Sequence, residues 1–254
     1  MESASHRTLT IDQFTRQAVP FAELPGHATS LDLLDELVQS KSTDKMLDVA
    51  CGPGIVACSF AEKVGHVTGV DLTPEMLRQA QQKQEAKGLK NLEWVEGSAD
   101  SLPFPDASFS LVVSRYAFHH FERPEVVFAE MCRVCQPGGR LLVVDVALPE
   151  EQVAAYDALE KLRDPSHVHV LSRDEIHELL NRQKLNDIRF GEYKVELSVE
   201  EQLAASFPVP GGAEQFRTRI QNDVSANRYG VSAQWKAETL CYAVPIVAAA
   251  GTKP

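Results

Sequence analysis

Short apolar runs alternate with helix-patterned stretches up to residue 146. The runs that have the length and composition of buried strands cover 45–50, 66–71, 92–96, 109–114 and 140–146. Helix-patterned stretches fall between them, at 55–62, 74–87 and 124–134. The helix over 74–87 starts with Pro74 and is followed by Gly88, and these residues favour the two ends of a helix. The alternation predicts a parallel sheet with helices on both faces.

The pattern changes after Leu148. Two helices are predicted over 150–162 and 173–184, and a sixth strand over 187–195. About forty residues of mixed character follow, with a turn-like PVPGG at 208–212 and a helix-like stretch over 213–226. A seventh strand is predicted over 238–247. The first forty residues also lie outside the alternating core, so the pattern predicts one domain with a lid made by the N-terminus and the late insertions.

Composition narrows the class of partner. The chain has 254 residues, of which 44% are apolar and 24% charged, and this is ordinary globular composition. Lys and Arg total 25 against 36 Asp and Glu, which gives a net charge of −11. Phosphate backbones repel such a chain, so a nucleic acid or an anionic membrane surface is not expected as a partner.

The apolar runs and the cysteines of the chain predict its cellular compartment. The apolar run over 243–250 is interrupted by Pro245 and is far shorter than a membrane span. The first fifteen residues contain no apolar stretch typical of a secretory signal. The five cysteines are few and odd in number, which is typical of reduced thiols. A cytoplasmic protein is expected.

A glycine turn in LDVACGPGIVA, residues 47–57, is the strongest local signal. Gly52 and Gly54 lie between a predicted strand and a predicted helix, where the backbone can approach a ligand closely. Asp71 ends the next strand, 19 positions after Gly52, and its carboxylate can accept both hydroxyls of a ribose. This pattern alone fits an NAD-dependent oxidoreductase as well as other nucleoside-binding enzymes.

Two observations separate these alternatives. Asp48 lies in the first strand, four residues before Gly52, where a carboxylate would repel a pyrophosphate and attract an ammonium group. Three further segments accompany the glycine turn: GSADSLPFPDASFSLVVS over 97–114, RYAFHHF over 115–121 and RVCQPGGRLLVVD over 133–145.

This set of segments resembles the class I S-adenosylmethionine-dependent methyltransferases, in the branch related to the ubiquinone and menaquinone C-methyltransferases. The resemblance is strong over 45–146 and weaker towards the C-terminus. Residues 13–28, 115–121 and 162–175 resemble the bacterial YcgJ-like subgroup. The implied fold is α/β, a Rossmann-like seven-stranded and mostly parallel sheet. One domain over 1–254 would comprise a lid segment (1–40), a cofactor-binding core (41–147), substrate-side insertions with strand six (148–237), and the last strand and tail (238–254).

The resemblance also implies which residues bind S-adenosylmethionine. Residues 48–54 match the turn that holds its methionine part, Asp71 the ribose carboxylate, and Leu72 the residue packed on adenine. Residues 98–100 match the turn at the adenine edge, where Asp100 by itself could also be a simple turn residue. The full implied set is Asp48, Ala50, Gly52, Gly54, Asp71, Leu72, Met76, Ser98, Ala99, Asp100, Ser114 and Arg115.

Methyl transfer from a sulfonium needs alignment of the reactants, and a base only when the acceptor arrives protonated. His119 and His120 follow strand four, and Asp145 ends strand five, at the sheet edge where ligands bind. These three residues are the candidate catalytic groups. The alternative is structural: the histidines cap a helix or face solvent, and Asp145 caps a turn.

Tyr116, Arg163 and His167 are the candidate acceptor-binding residues. Arg115 and Tyr116 suit an anionic or aromatic acceptor. His167 and His169 are two apart and face one way in an extended stretch, but no further ligands complete a metal site. The expected function is methyl transfer from S-adenosylmethionine, which yields S-adenosylhomocysteine, to oxygen, nitrogen or carbon of a small molecule. The alternatives are an NAD-dependent oxidoreductase and a methyltransferase-fold protein that binds cofactor without turnover.

Overall fold

The computed structural model describes residues 4–23 and 29–254, with side chains described from residue 5 to 20 and from 29 onwards. Part of the N-terminal segment 13–28 lies outside the described residues. The helices are α1 (Ala4–Glu23), α2 (Leu31–Val38), α3 (Ile55–Phe60), α4 (Pro74–Lys87), α5 (Pro124–Val134), α6 (Glu150–Arg163), α7 (Arg173–Arg182), α8 (Val199–Ala204) and α9 (Gly212–Asn222). The strands are β1 (Lys45–Val49), β2 (His66–Asp71), β3 (Leu92–Glu96), β4 (Phe109–Arg115), β5 (Cys135–Val146), β6 (Asn186–Ser198), β7 (Gln234–Lys236) and β8 (Thr239–Thr252).

One sheet joins all the described strands in the order β3-β2-β1-β4-β5-β8-β6, and the short β7 pairs with β8. Strands β3, β2, β1, β4 and β5 run parallel, whereas β8 is antiparallel to both of its long neighbours. The order reverses between β1 and β4, because the chain moves outward in one direction from β1 to β3 and in the other from β4. A crevice therefore forms beyond the carboxyl ends of β1 and β4, where α/β sheets bind ligands.

Two apolar cores cover the two faces of the sheet. One core packs α2, α3, α6, α8 and α9 against the sheet and contains Phe60, Phe216 and Tyr242. The other packs α5 and α7 against the opposite face and contains Phe128 and Met131. Strand residues point alternately into the two cores, so both faces of the central strands are buried.

The predicted elements are present, with differences at their ends, and the short helix α8 and strand β7 were not predicted. The predicted and observed bounds of β2, β3, α4 and α5 are the same. Strand β5 begins at Cys135 rather than residue 140, and its Pro137-Gly138-Gly139 segment forms an irregularity in the pairing with β4. The unpredicted β7 is a three-residue strand that forms a hairpin with β8. Three exposed residues carry too little pattern to be recognised in a sequence.

Gly54 packs closely under the glycine turn. Its φ is +72°, and a Cβ there would lie 2.7 Å from the Trp94 ring and 2.9 Å from the Ala80 Cβ. Gly88 has a similar φ of +67° but open space around the same position. We therefore expect Gly88→Ala to lower the free energy of unfolding by roughly 1–2 kcal/mol, the cost of a left-handed conformation. Gly54→Ala should lower the free energy of unfolding by about 1–3 kcal/mol more, because the added methyl group would overpack the turn.

Urea denaturation of the two variants measures this difference. Gly88→Ala is the matched control, because it shares the backbone conformation and lacks the clash. Equal losses of stability in the two variants would contradict the packing role of Gly54.

Candidate functional site

A cleft of about 970 Å³, its open side included, lies beyond the carboxyl ends of β1, β2 and β4. Nine of the twelve residues expected to bind a cofactor line it: Asp48, Ala50, Gly52, Asp71, Leu72, Met76, Ser98, Ala99 and Arg115. Tyr116 and His120, expected near the acceptor, lie in the same wall. The loops that follow β1, β2 and β4, next to the point where the strand order reverses, therefore line one cleft.

Asp71 organises the glycine turn. Its Oδ2 accepts a hydrogen bond from the Gly52 amide at 2.8 Å, and its Oδ1 accepts one from the Thr73 amide at 2.8 Å. Burial raises the pKa of this carboxyl, and the backbone amides act in the opposite direction. A Cβ at Gly52 would meet only the Met76 Sδ, at 4.0 Å. The glycine turn thus leaves space for a ligand at Gly52, next to the Asp71 carboxylate that the two amides hold in place.

Asp48 is a buried carboxyl group in the floor of the cleft, only 2% exposed. Its Oδ2 accepts a hydrogen bond from the Ala57 amide, in the first turn of α3, at 3.0 Å. Burial raises the pKa of Asp48 to about 7, and the neighbouring Asp71 adds to the rise. A cation bound in the cleft would relieve both effects, so the site favours a ligand with a positive group near Asp48.

Two cleft residues adopt left-handed backbone conformations although they are not glycine. Ala50 at the end of β1 has φ +54°, and Tyr116 after β4 has φ +58°. Such conformations are uncommon outside glycine and cluster at functional sites. They turn the chain sharply where β1 and β4 separate, and neither was recognisable in the sequence.

The structure places three expected cofactor residues outside the cleft wall. Gly54 packs against Trp94 and Ala80, as described above. The Ser114 hydroxyl is fully buried and donates to the Val49 carbonyl at 2.9 Å, so it cross-links β4 to β1. Asp100 accepts from the Ser98 hydroxyl at 2.7 Å and forms an ion pair with Arg123 at 3.8 Å.

Helix α1 closes one side of the cleft. Its Thr10 and Phe14 line the cavity, and the His6 imidazole bonds the His120 carbonyl at 2.8 Å. The edge of the Phe14 ring also contacts His120, with 4.9 Å between ring centroids. The N-terminal segment was predicted to form part of a lid, but its sequence pattern did not identify Thr10 or Phe14 as residues of the cleft.

A second cavity of about 680 Å³, its open side included, adjoins the cleft. Phe14, Tyr116 and His120 line both spaces and form the boundary between them. The second cavity reaches the ends of β5, β6 and β8 and the inner side of α6. Its wall contains His119, Asp145 and Arg163, three of the residues expected to act on or bind an acceptor.

His119 and Asp145 form a hydrogen-bonded pair in this wall. The Nδ1 of His119 lies 2.6 Å from the Asp145 Oδ1. The same carboxylate accepts from the backbone amides of Phe118, His119 and Val146, at 2.7, 3.3 and 2.7 Å. Burial would lower the pKa of His119, but the charge of Asp145 and its hydrogen bond outweigh burial and raise it. The pair therefore fixes the imidazole with Nε2 as the atom that can take a proton.

His120 has a different environment although it is adjacent. Its Nδ1 lies 3.1 Å from the Ser166 carbonyl, to which it donates. Burial lowers its pKa to about 3, and the positive charge of His119 contributes further. His120 is therefore neutral at physiological pH and a weak base, so its position suits a wall of both cavities better than proton transfer.

Arg115 is less available to an anion than the sequence implied. Its guanidinium stacks over the Tyr116 ring at 4.2 Å and donates to the Tyr116 hydroxyl and the Thr29 carbonyl. The Tyr116 hydroxyl also bonds the Tyr193 hydroxyl at 2.8 Å. These contacts occupy Arg115 and fix the Tyr116 ring between the two cavities.

His167 lies behind the second cavity rather than in its wall. Its ring is 5.6 Å from that of His119, and its Nε2 bonds Asp157 Oδ1 at 2.7 Å. His169 Nδ1 bonds Asp157 Oδ2 at 2.9 Å, so the two imidazoles do face one way. Arg163 does line the cavity; its Nε binds Glu160 Oε2 at 3.1 Å.

Residues 47–143 match the family model described as a methyltransferase domain. The uncharacterized methyltransferase YcgJ of Bacillus subtilis is 36% identical over 157 residues, which are 61% of this chain and 62% of that protein. The ubiquinone/menaquinone biosynthesis C-methyltransferase UbiE of Francisella tularensis subsp. novicida is 37% identical over 110 residues, 42% of this chain and 44% of UbiE. The chain thus spans less than two thirds of the length of these curated relatives.

Solved structures share the fold. The crystal structure of YcgJ superposes with a TM-score of 0.80 at 27% identity, over 89% of this chain and 98% of that one. Phosphoethanolamine N-methyltransferase 2 of Haemonchus contortus, solved with S-adenosylhomocysteine, superposes with a TM-score of 0.60 at 20% identity, over 88% of this chain and 52% of that one.

These findings confirm the Rossmann-like fold and the predicted resemblance to the class I methyltransferases, the family whose cofactor is S-adenosylmethionine. Asp48, Asp71 and the open turn at Gly52 fit such a ligand, which carries an ammonium group and a ribose. In the part of the chain that the structure describes, no helix is long and apolar enough to cross a membrane.

Proposed function

The chain carries a class I S-adenosylmethionine-dependent methyltransferase domain, and from that premise we propose that it methylates oxygen, nitrogen or carbon of a small molecule. One observation supports this proposal above the others. The cleft with Asp48 and Asp71 adjoins a separate cavity with the His119–Asp145 pair, and among the described residues only Phe14, Tyr116 and His120 line both.

Each cavity would bind one of the two reactants of the methyl transfer, the cleft the cofactor and the second cavity the acceptor. When bound, S-adenosylmethionine supplies a methyl group on a sulfonium, whose departure leaves a neutral thioether. Asp48 would bind its ammonium group and Asp71 its ribose hydroxyls, and Leu72, Met76 and Ala99 would pack around its adenine. The boundary residues hold the acceptor atom at the junction and exclude water, and alignment of this kind can supply roughly 7–11 kcal/mol.

The His119–Asp145 pair supplies a base. His119 Nε2 takes the proton of an acceptor hydroxyl, amine or acidic carbon, and Asp145 stabilises the imidazolium through Nδ1. His120 keeps the junction closed as a neutral ring. This assignment accounts for the contact between the Asp145 carboxylate and His119 Nδ1 at 2.6 Å, which a simple turn cap does not require.

The lid and location are part of the same proposal. Segment 1–40 and the insertions over 148–237 would cover the acceptor around the core over 41–147, with 238–254 completing a single domain. Thr10 and Phe14 of α1, and the residues of α6, α8 and β8 in the second cavity, support this division. All five cysteines are free and buried, and this supports a cytoplasmic location.

Isothermal titration calorimetry with S-adenosylmethionine, S-adenosylhomocysteine and NAD tests the cofactor. We expect micromolar binding of the first two and none of NAD. Binding of NAD alone would overturn the proposal in favour of an oxidoreductase. Binding of both sulfur nucleosides with no turnover across a wide acceptor screen would instead favour a non-catalytic binding module.

The same titration should depend on pH through Asp48. The carboxyl has a pKa of about 7 without ligand, and an ammonium group binds only its ionised form. Below pH 7 binding must therefore release a proton, and the Kd for S-adenosylmethionine should rise up to about tenfold per pH unit between pH 7 and 5. Asp48→Asn should bind weakly at every pH and lose this dependence. A wild-type Kd that is constant from pH 5 to 8 would contradict the role of Asp48.

A further inference from the structure

The second cavity contains more carboxylates than cations. Among the described residues of its wall, Asp145, Glu160 and Asp164 are acidic, whereas the cations are Arg163 and, when protonated, His119. All three carboxylates are at most 4% exposed. Even with His119 protonated, one negative charge is left without a cationic partner.

The contacts show which charges are already matched. Asp145 is paired with His119, and Glu160 Oε2 accepts from Arg163 Nε at 3.1 Å. Arg163 Nη1 also donates to Ser206, at 2.9 Å. Asp164 is bound by neutral donors: Gln17 Nε2 at 3.2 Å, and the Ser166 amide and hydroxyl at 2.9 and 2.5 Å. Neutral donors solvate a carboxylate but add no positive charge, and Arg163, whose charge also acts on Asp164, is already paired with Glu160.

Aromatic rings line the same space. Phe14, Tyr116, Tyr156 and Tyr242 contribute to the wall, and the hydroxyls of Tyr156 and Tyr242 make no hydrogen bond to any described residue. Aromatic faces together with buried carboxylates attract organic cations, because the ring quadrupole and the negative charge act in the same direction. Both act more strongly where water is excluded.

One further polar group of the wall lacks a partner. Gln202 is 7% exposed and lines the cavity, and its buried Oε1 has no hydrogen-bond partner among the described residues. A carboxamide can present either its oxygen or its NH₂ to a neighbour after a half-turn. A polar ligand in the cavity would complete the hydrogen bonding of this amide.

We propose that the second cavity binds an acceptor molecule with an apolar body and a protonated amine, the amine lying between Glu160, Asp164 and the rings of Tyr156 and Tyr242. Apolar side chains provide the remaining wall: Val146, Val195, Leu197, Val244 and Ile246. The inference rests on the proposed function, because it takes this cavity to be the acceptor site. It excludes carboxylates and phosphates as the group that enters the cavity, since they would add to the unmatched negative charge.

A matched ligand series tests the proposal by binding rather than by turnover. Phenethylamine, 2-phenylethanol and phenylacetate share an aromatic body but differ in charge, as do hexylamine, hexanol and hexanoate. Each is titrated into protein saturated with S-adenosylhomocysteine. We expect the amines to bind at least tenfold more tightly than the alcohols, and the carboxylates to bind more weakly than both.

Two variants check that the cavity is the origin of this preference. Glu160→Gln and Asp164→Asn each remove one negative charge, and each should lower the ratio of amine to alcohol affinity at least fivefold. Glu151→Gln, on an exposed turn of the same helix α6, should leave the ratio unchanged. S-adenosylhomocysteine binding shows that each variant is folded, and the second charge variant serves if the first does not fold.

The proposal is overturned if the carboxylates bind as tightly as the amines, if no amine binds protein that is loaded with S-adenosylhomocysteine, or if neither charge variant changes the ratio. Failure of the proposed function is a separate result. It would appear as absence of S-adenosylmethionine and S-adenosylhomocysteine binding in the cofactor titration, before any amine is added.

Discussion

Replacing His119 with glutamine should lower kcat by about 10²–10⁴-fold and leave the affinity for S-adenosylhomocysteine unchanged. His119 is the imidazole in the second cavity whose Nδ1 is held by a buried carboxylate, at 2.6 Å from Asp145, and its Nε2 is the atom that can accept a proton. Asp145→Asn should lower kcat by a similar factor, because asparagine can stabilise the wrong tautomer of the ring and carries no charge to match an imidazolium.

The adjacent histidine is the control for this prediction. His120 lies 4.2 Å from His119 between ring centroids, yet its pKa of about 3 and its bond to the Ser166 carbonyl make it a poor base. His120→Gln should therefore lower kcat less than tenfold. Steady-state kinetics with the acceptor found by screening measures both variants, and a larger loss for His120→Gln would reverse the assignment.

The pH dependence of kcat distinguishes a catalytic role of His119 from a purely structural one. A base must be neutral to act, and Asp145 raises the pKa of His119 above its usual value of 6.5. Wild-type kcat should therefore fall as pH drops through a pKa above 6.5, and His119→Gln should lose this acidic limb. A merely structural histidine would lower kcat without changing the shape of the profile.

Replacing Asp71 with alanine should raise the Kd for S-adenosylmethionine and S-adenosylhomocysteine by about 10²–10⁴-fold. The carboxylate faces the cleft and would accept two charge-assisted hydrogen bonds from a ribose, each contributing about 1.5–3 kcal/mol. It also fixes the turn by accepting from the Gly52 and Thr73 amides at 2.8 Å. Alanine removes the ribose contacts and leaves both amides without this acceptor.

Calorimetry on two further variants sharpens this test. Asp71→Asn keeps one acceptor oxygen, so its Kd should lie between those of the wild type and Asp71→Ala. Glu93→Gln changes a carboxylate on β3 that accepts from Thr68 at 2.7 Å and lies outside the cleft, so it should leave the Kd unchanged. Cofactor binding by Asp71→Ala at wild-type strength would remove Asp71 from the site.

The sequence determined the cofactor-binding core over 41–147, because the residues that signal its strands, helices and turns act over short distances along the chain. The bounds of β2 and α4 were readable since strand content, Pro74 at a helix start and Gly88 at its end act within a few residues. The glycine turn and Asp71 were likewise readable, because their spacing is fixed by one strand-turn-helix unit. The parallel order of the first five strands then brought most of the expected cofactor residues to one cleft.

Two of the expected site residues have contacts that the local pattern did not predict. Ser114 follows the expected motif, but the alternation of side chains along β4 turns its hydroxyl to the Val49 carbonyl instead of the cleft. Arg115 suggested an anion site, and the ring of its neighbour Tyr116 covers its guanidinium instead. In both cases the direction of the side chain was decided by a contact with another strand or side chain. The spacing of residues in the sequence does not encode such contacts.

Only the tertiary structure brought together the second cavity. Phe14, His119, Glu160 and Tyr242 are separated by tens to hundreds of positions, and they meet because α1, α6 and the antiparallel β8 close over the ends of β4 and β5. The charge of this cavity is a sum over those separate elements, so no segment of the chain carries it. The sequence thus determined the fold and the cofactor cleft, whose parts are formed by neighbouring residues, while long-range packing alone decided the shape and charge of the acceptor site.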